Sequence, residues 1–247
     1  MRPKPLQNSP PPLRHTVEHL RRRLRQAAQS GHRNTAQRFS REPVRSLGVR
    51  TPEIRRLAKE AAREYRSRRL PWAAILRLAE GLWKRETIEE RSLAIEILSC
   101  FRSRFGAQEW LRFDRWVDSL SNWGETDGLC IYLLAPLLAR KPALAARLPR
   151  WARSPNRWRR RAAAAALAPL ARRGSLLEVV FSVCDRLGSD GDDLVEKAAG
   201  WLLKEASRTR PAEVVQYLLD NKSRLSRTTL RHACEKLPER ARERVLA

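Results

Sequence analysis

Residues 154–187 read SPNRWRRRAAAAALAPLARRGSLLEVVFSVCDRL, from Ser154 to Leu187. The stretch predicts a helix from Asn156 to Arg172, a tight turn, and a second helix from Leu176 to Leu187. In the second helix Val179, Val180, Val183 and Leu187 recur at helical spacing. Ser154-Pro155 announces the first helix as Thr51-Pro52-Glu53 does upstream, with a cap, a first-turn proline and an acid suited to the helix dipole.

Other pairs follow the same pattern. Pro52 to Arg68 pairs with Pro71 to Glu80, and Thr87 to Arg104 with Gln108 to Leu120. Trp123 to Arg140 pairs with Ala143 to Ala152, and Asp193 to Arg208 with Pro211 to Asp220. A closing helix is expected near Ser226 to Leu237. A helix pair returning every 35–40 residues or so is the period of a HEAT-like α-solenoid. The expected fold is therefore all-α, with helix pairs forming a curved, basic concave cleft. Identity between the repeats is poor, so an irregular helical bundle is the alternative.

Composition agrees with a helical reading. The chain has only 10 glycines, and Ala, Leu, Arg and Glu are strong helix formers. No alternating run demands a strand. At 42% hydrophobic with 8 Trp, the chain can bury a real core.

Charge narrows the partner. The 247 residues carry 51 Lys plus Arg against 27 Asp plus Glu, a net charge of +24. Such an excess disfavours cationic partners and favours a polyanion, a nucleic acid or an anionic membrane surface. No run of about 18 apolar residues exists to span a bilayer. The first residues are basic and Pro-rich and never become apolar, unlike a secretory signal. Cys100, Cys130, Cys184 and Cys234 are far apart in apolar helical patterns and read as buried free thiols. No CxxC pair suggests zinc. Residues 1–34 are expected to form a basic Pro/Arg-rich arm with a first helix, where Arg21, Arg22, Arg23 and Arg25 could meet phosphates. Residues 35–247 are expected to form the repeat domain.

The segment Ser119-Leu120-Ser121-Asn122-Trp123-Gly124-Glu125-Thr126-Asp127 is unusual. If Asn122 caps the helix, with Glu125 three residues on, Trp123 and Asp127 lie four apart on one face. Trp158 and Arg161 begin another repeat, and Lys197, Trp201 and Lys204 line a third. Each Trp alone reads as core. Equivalent positions in a solenoid, however, line one surface. A Trp face attracts a cation by about 0.5–2 kcal/mol. A purine alkylated on a ring nitrogen is such a cation, and losing it leaves an oxocarbenium-like sugar that a carboxylate stabilises. Trp72, Trp83, Trp110 and Trp116 are expected in the core. His15, His19, His32 and His232 lack the partners of a nucleophile triad.

The landmarks Leu47-Gly48-Val49-Arg50-Thr51-Pro52-Glu53, Trp123 with Asp127, Trp158-Arg159-Arg160-Arg161-Ala162-Ala163, and Glu196-Lys197-Ala198-Ala199-Gly200-Trp201-Leu202-Leu203-Lys204-Glu205 resemble the DNA alkylation repair family of helical-repeat DNA glycosylases, the AlkD-like group. The resemblance runs from near Ala36 to about Leu237. It implies a HEAT-like solenoid that excises 3-methyladenine or 7-methylguanine from double-stranded DNA without cofactor or metal. It implies Asp127 as the catalytic carboxylate, Trp123 and Trp201 as aromatic walls at the lesion, and Arg161 as the basic partner. Phe39, Arg50, Trp158, Arg159, Arg160, Lys197 and Lys204 are the further DNA-contacting candidates. Phe39 stands where the family can have an aromatic hydroxyl, and Asn122 where it can have a second Trp.

Lys197 or Lys204 would be the amine of any lyase step, yet nothing singles either out, so monofunctional hydrolysis by a monomer is expected. The expected location is the cytoplasm, with the nucleoid. The alternatives are a non-catalytic module for distorted or branched DNA, since the family also holds such members, and a scaffold for an acidic protein.

Overall fold

The computed structural model describes residues 13–29, 32–33, 37, 43–85 and 87–247. Among them every regular element is helical. The chain divides into two compact units, Met1–Phe101 and Arg102–Ala247.

In the first unit, α1 (Leu13–Gln26), α2 (Thr51–Ser67), α3 (Trp72–Trp83) and α4 (Ile88–Ser99) pack around Leu24, Leu57, Ile75, Leu82, Leu93 and Ile97. The apolar face of α1 is part of this core, because Val17, Leu20 and Leu24 are buried. Its basic face is partly neutralised. Arg21 donates to Glu90 at 2.6 Å and to Glu18 at 2.8 Å, and Arg23 donates to Glu60 at 2.8 Å. The first helix expected within residues 1–34 is α1, and its apolar face belongs to the core.

The Leu47–Arg50 landmark has a local cause. Buried Glu89 accepts from the Ser46 hydroxyl at 2.5 Å and from the amides of Leu47 at 2.9 Å, Gly48 at 3.0 Å and Val49 at 3.4 Å. Gly48 sits at φ +83°, and a Cβ there would lie 2.6 Å from the Gln29 carbonyl. Only glycine takes this conformation without strain. Helix α2 begins at Thr51, not after it. The capping position is the extended Arg50, and Thr51 makes the first turn with Pro52.

The second unit begins with a 3-10 turn, Arg102–Arg104, so the helix expected from Thr87 to Arg104 ends at Ser99. Then come α5 (Ala107–Asp118), α6 (Trp123–Leu129), a π-turn (Cys130–Leu134) and α7 (Ala135–Arg140). Pro136 has no N–H for the Tyr132 carbonyl, and the Ala135 amide reaches back to Cys130 instead. After the 3-10 turn Pro142–Arg147 follow α8 (Leu148–Trp151), α9 (Arg157–Ala171), α10 (Leu177–Leu187), α11 (Asp193–Ala206), α12 (Pro211–Asn221), α13 (Arg227–Ala233) and α14 (Glu239–Leu246). The closing helix expected near Ser226 to Leu237 is followed by a further one, α14, which buries Val245.

Helices α6, α9, α11 and α13 stack side by side. Behind them α8 meets α10, and α12 meets α14. Such helix pairs are the repeat that the period predicts. Close stacking depends on small residues. Ala162 to Ala166 of α9 are fully buried. A Cβ on Gly200 of α11 would come within 2.5 Å of His232 Cβ and 2.7 Å of the Thr229 carbonyl on α13.

The caps refine the boundaries. Asn156, not Ser154, caps α9 and accepts from the Trp158 amide at 2.9 Å, while Ser154 Oγ accepts from the Asn156 amide. Trp83, Trp110 and Trp116 are buried as expected, and Trp72 is half-buried. All four cysteines are free thiols, with Cys100 only half-buried. Among the described residues no single helix is long and apolar enough to cross a membrane.

Candidate functional site

The site grows from the head of α6. Asn122, extended at φ −152°, accepts from the Glu125 amide at 2.9 Å. Glu125 reaches back to the Ser121 hydroxyl at 3.3 Å, and Thr126 Oγ1 donates to the Asn122 carbonyl at 2.8 Å. These buried polar groups fix the first turn. They leave Trp123 at its first position 38% exposed, an uncommon setting for so large a ring.

Four residues on, Asp127 points at α9. Arg161 donates Nε to Oδ1 at 3.0 Å and Nη2 to Oδ2 at 2.7 Å, a two-pronged pair. Its Nη1 donates to the Leu194 carbonyl at the start of α11, at 2.6 Å. One buried guanidinium thus ties three neighbouring helices to one carboxylate. The Asp127 side chain keeps 19% exposure against 9% for Arg161. Burial raises the Asp127 carboxyl above its ordinary 3.8, and the Arg161 charge and hydrogen bonds pull it back without cancelling the rise.

The other candidates fall in different settings. Trp201 is half-buried on α11, seven residues past Leu194, or about 10 Å along the helix axis. Trp158 is buried, with Arg157 over its ring at 5.0 Å, so it packs inside and does not join the exposed face expected for it. Arg159 donates to Asp114 at 2.6 Å and Asp118 at 2.7 Å, and Arg160 donates to Asp190 at 2.7 Å. Both guanidinium groups are engaged within the fold. Lys197 bonds Asp193 and Lys204 bonds Glu235, each at 2.7 Å. Arg50 is exposed at the head of α2 in the first unit. Phe39 lies outside the described residues. The Leu194 carbonyl, which orients Arg161, is backbone and leaves no mark in a residue pattern. Among the described residues no cluster of His, Cys, Asp and Glu could hold a metal ion.

A stack of helix pairs with a buried Asp–Arg pair beside an exposed Trp defines a helical-repeat protein with a single carboxylate at its candidate centre. The DNA alkylation repair enzyme family profile matches residues 20–237, and the chain belongs to that family. Two solved structures are similar in fold. One is a predicted DNA alkylation repair enzyme from Enterococcus faecalis, 18% identical, with a TM-score of 0.76, covering 86% of this chain and 97% of that one. The other is AlkD2 from Streptococcus mutans, 17% identical, with a TM-score of 0.62, covering 92% and 99%. No curated protein matches the chain.

Proposed function

We propose that the chain is a DNA glycosylase that hydrolyses the N-glycosidic bond of cationic N-alkylated purines, of the 3-methyladenine and 7-methylguanine type, in duplex DNA. It acts as a monomer without a cofactor, in the cytoplasm with the nucleoid. The observation that carries this reading is the Asp127 carboxylate, held in one orientation by Arg161 next to an exposed Trp123.

The chemistry suits that small toolkit. As the bond from C1′ to the purine nitrogen breaks, its electron pair stays with the base and cancels the positive charge there. The base leaves neutral, so no acid is needed to protonate it. Positive charge moves to the sugar, where a carboxylate stabilises it. Water then adds to C1′ and loses a proton to the carboxylate or to solvent. Trp123 offers a π-face to the cationic base. Each Asp127 oxygen accepts once from Arg161 and keeps a second lone pair for the sugar or the water.

A second reading rests on the same pair. Asp127 and Arg161 are also what a purely structural staple looks like, in a module that binds distorted DNA without cutting it. Base release from methylated duplex, compared between wild type and Asp127→Asn, separates the two. Glycosylase action requires release by the wild type and a loss of at least 100-fold in the variant, with binding to undamaged DNA retained. No release by the wild type, or equal release by both proteins, refutes the catalytic role.

A further inference from the structure

Between Asp127 and Glu178 the chain carries no acid, and every charge from Arg140 to Arg173 is positive. Five of these cations find acids elsewhere in the second unit: Arg157 with Asp192, Arg159 with Asp114 and Asp118, Arg160 with Asp190, Arg161 with Asp127, and Arg172 with Glu205 at 3.8 Å. Arg147 and Arg150 have no ion-pair partner among the described residues. Both are exposed, and both line a cleft of about 730 Å³ between α5, the Pro142–Trp151 segment and the head of α9.

The cleft is built on packed aromatic rings. Its floor is Trp110 stacked on Trp151, centroids 5.1 Å apart, both buried. Arg147 lies over Trp110 at 5.8 Å, and Arg159 over Trp151 at 5.1 Å. The acid in its lining, Asp114, is already taken by Arg159 at 2.6 Å. Ser154 Oγ accepts from the Asn156 amide, which leaves its O–H to donate. Lys141 and Arg153 stand exposed nearby in the chain and extend the positive surface. The buried tryptophans offer no free face for stacking. What remains is two guanidinium forks, a hydroxyl and an extended positive field, which suits the repeating phosphates of a nucleic acid backbone.

This cleft is separate from the carboxylate. Arg159 and Arg161 are two residues apart on α9, so their side chains leave the helix about 200° apart. Arg159 turns to α5 and the cleft, whereas Arg161 turns to α6 and α11. We propose that the Arg147–Arg150 cleft holds the phosphate backbone of a second DNA segment, on the side of α9 away from Asp127. The proposal does not depend on base excision.

Stoichiometry tests it. An unmodified duplex of a dozen base pairs is titrated onto the full chain at low salt and followed by sedimentation. The wild type should take up two duplexes, the second with a steep salt dependence. Arg147→Gln with Arg150→Gln keeps the stem over Trp110 and should weaken the second binding step at least tenfold. Removing two phosphate contacts should lower the salt slope of that step by about 1.8. Release of methylated bases by this variant should match the wild type, and Asp127→Asn should still bind two duplexes. If the double variant melts early, Arg150→Glu alone repeats the measurement without touching the stacked tryptophans. One duplex per wild-type chain, or two undiminished in the arginine variants, overturns the proposal. So does a wild type that takes one duplex and fills the cleft with poly-glutamate.

Discussion

In the proposed reaction Asp127 must be ionised to stabilise a sugar cation, yet its burial favours the protonated form. Burial raises its folded-state value above the unfolded 3.8, with Arg161 opposing. Folding therefore takes up a proton at this site, and ionising it costs stability as pH rises through the window between 3.8 and the folded value. Excision should rise through that same window. After subtraction of spontaneous base loss, the acid limb of the pH–rate profile should have its midpoint above 3.8. Arg161→Gln removes the opposing charge and leaves desolvation unopposed, so its midpoint should move higher still. At pH 8 that variant should also lose about 3 kcal/mol of stability, because a buried carboxylate is left without its partner. A profile unchanged by Arg161→Gln would mean that the guanidinium does not set the charge state of Asp127.

Helix packing sets the spacing between the elements that carry these residues. Helix α11 provides both the Leu194 carbonyl for Arg161 and the Trp201 ring, and it sits against α13 through Gly200. With backbone at 2.7 Å from a built Cβ, Gly200→Ala must push the two helices apart. Thermal or urea unfolding should show a loss of about 1–3 kcal/mol, the usual cost of overpacking. An unchanged midpoint would mean that α13 yields without strain. At this scale much was legible in advance. The capping of α6 by Asn122 and the helix pairs from α5 to α12 follow from apolar period and cap chemistry. What escaped has physical reasons. Thr51 and Ser154 look like caps, but a neighbour with extended backbone holds that place. The π-turn needs Pro136 to be weighed against a helix that continues on both sides. Helix α14 has so few apolar residues that only buried Val245 marks it. The fate of the arginines was least legible, because whether a cation is free or engaged depends on acids 30 to 70 residues away, such as Glu90 for Arg21 and Asp190 for Arg160.

For the molecule as a whole, the 51 Lys and Arg overstate the cations on offer to DNA, whereas the net charge of +24 already subtracts the acids that pair with them. Several of those cations are already engaged within the fold: Arg21, Arg23, Arg159, Arg160 and Arg161 each bond a carboxylate at 3.0 Å or less. Affinity for duplex falls with salt by about 0.9 in log–log slope for every phosphate neutralised. A free cation should therefore contribute to that slope, and an engaged one should not. Arg50 is exposed at the head of α2, whereas Arg159 is spent on Asp114 and Asp118. Arg50→Gln should lower the slope by about 0.9 and leave the melting temperature near wild type. Arg159→Gln should leave the slope unchanged and cost about 1–2 kcal/mol in stability, because its bonds to α5 are charge-assisted. Duplex titrations at several salt concentrations, with a melt of each variant, check both. If Arg159→Gln lowered the slope as Arg50→Gln does, its ion pairs would be opening when DNA binds, and the inward-turned arginines would be a reserve that the phosphates draw out.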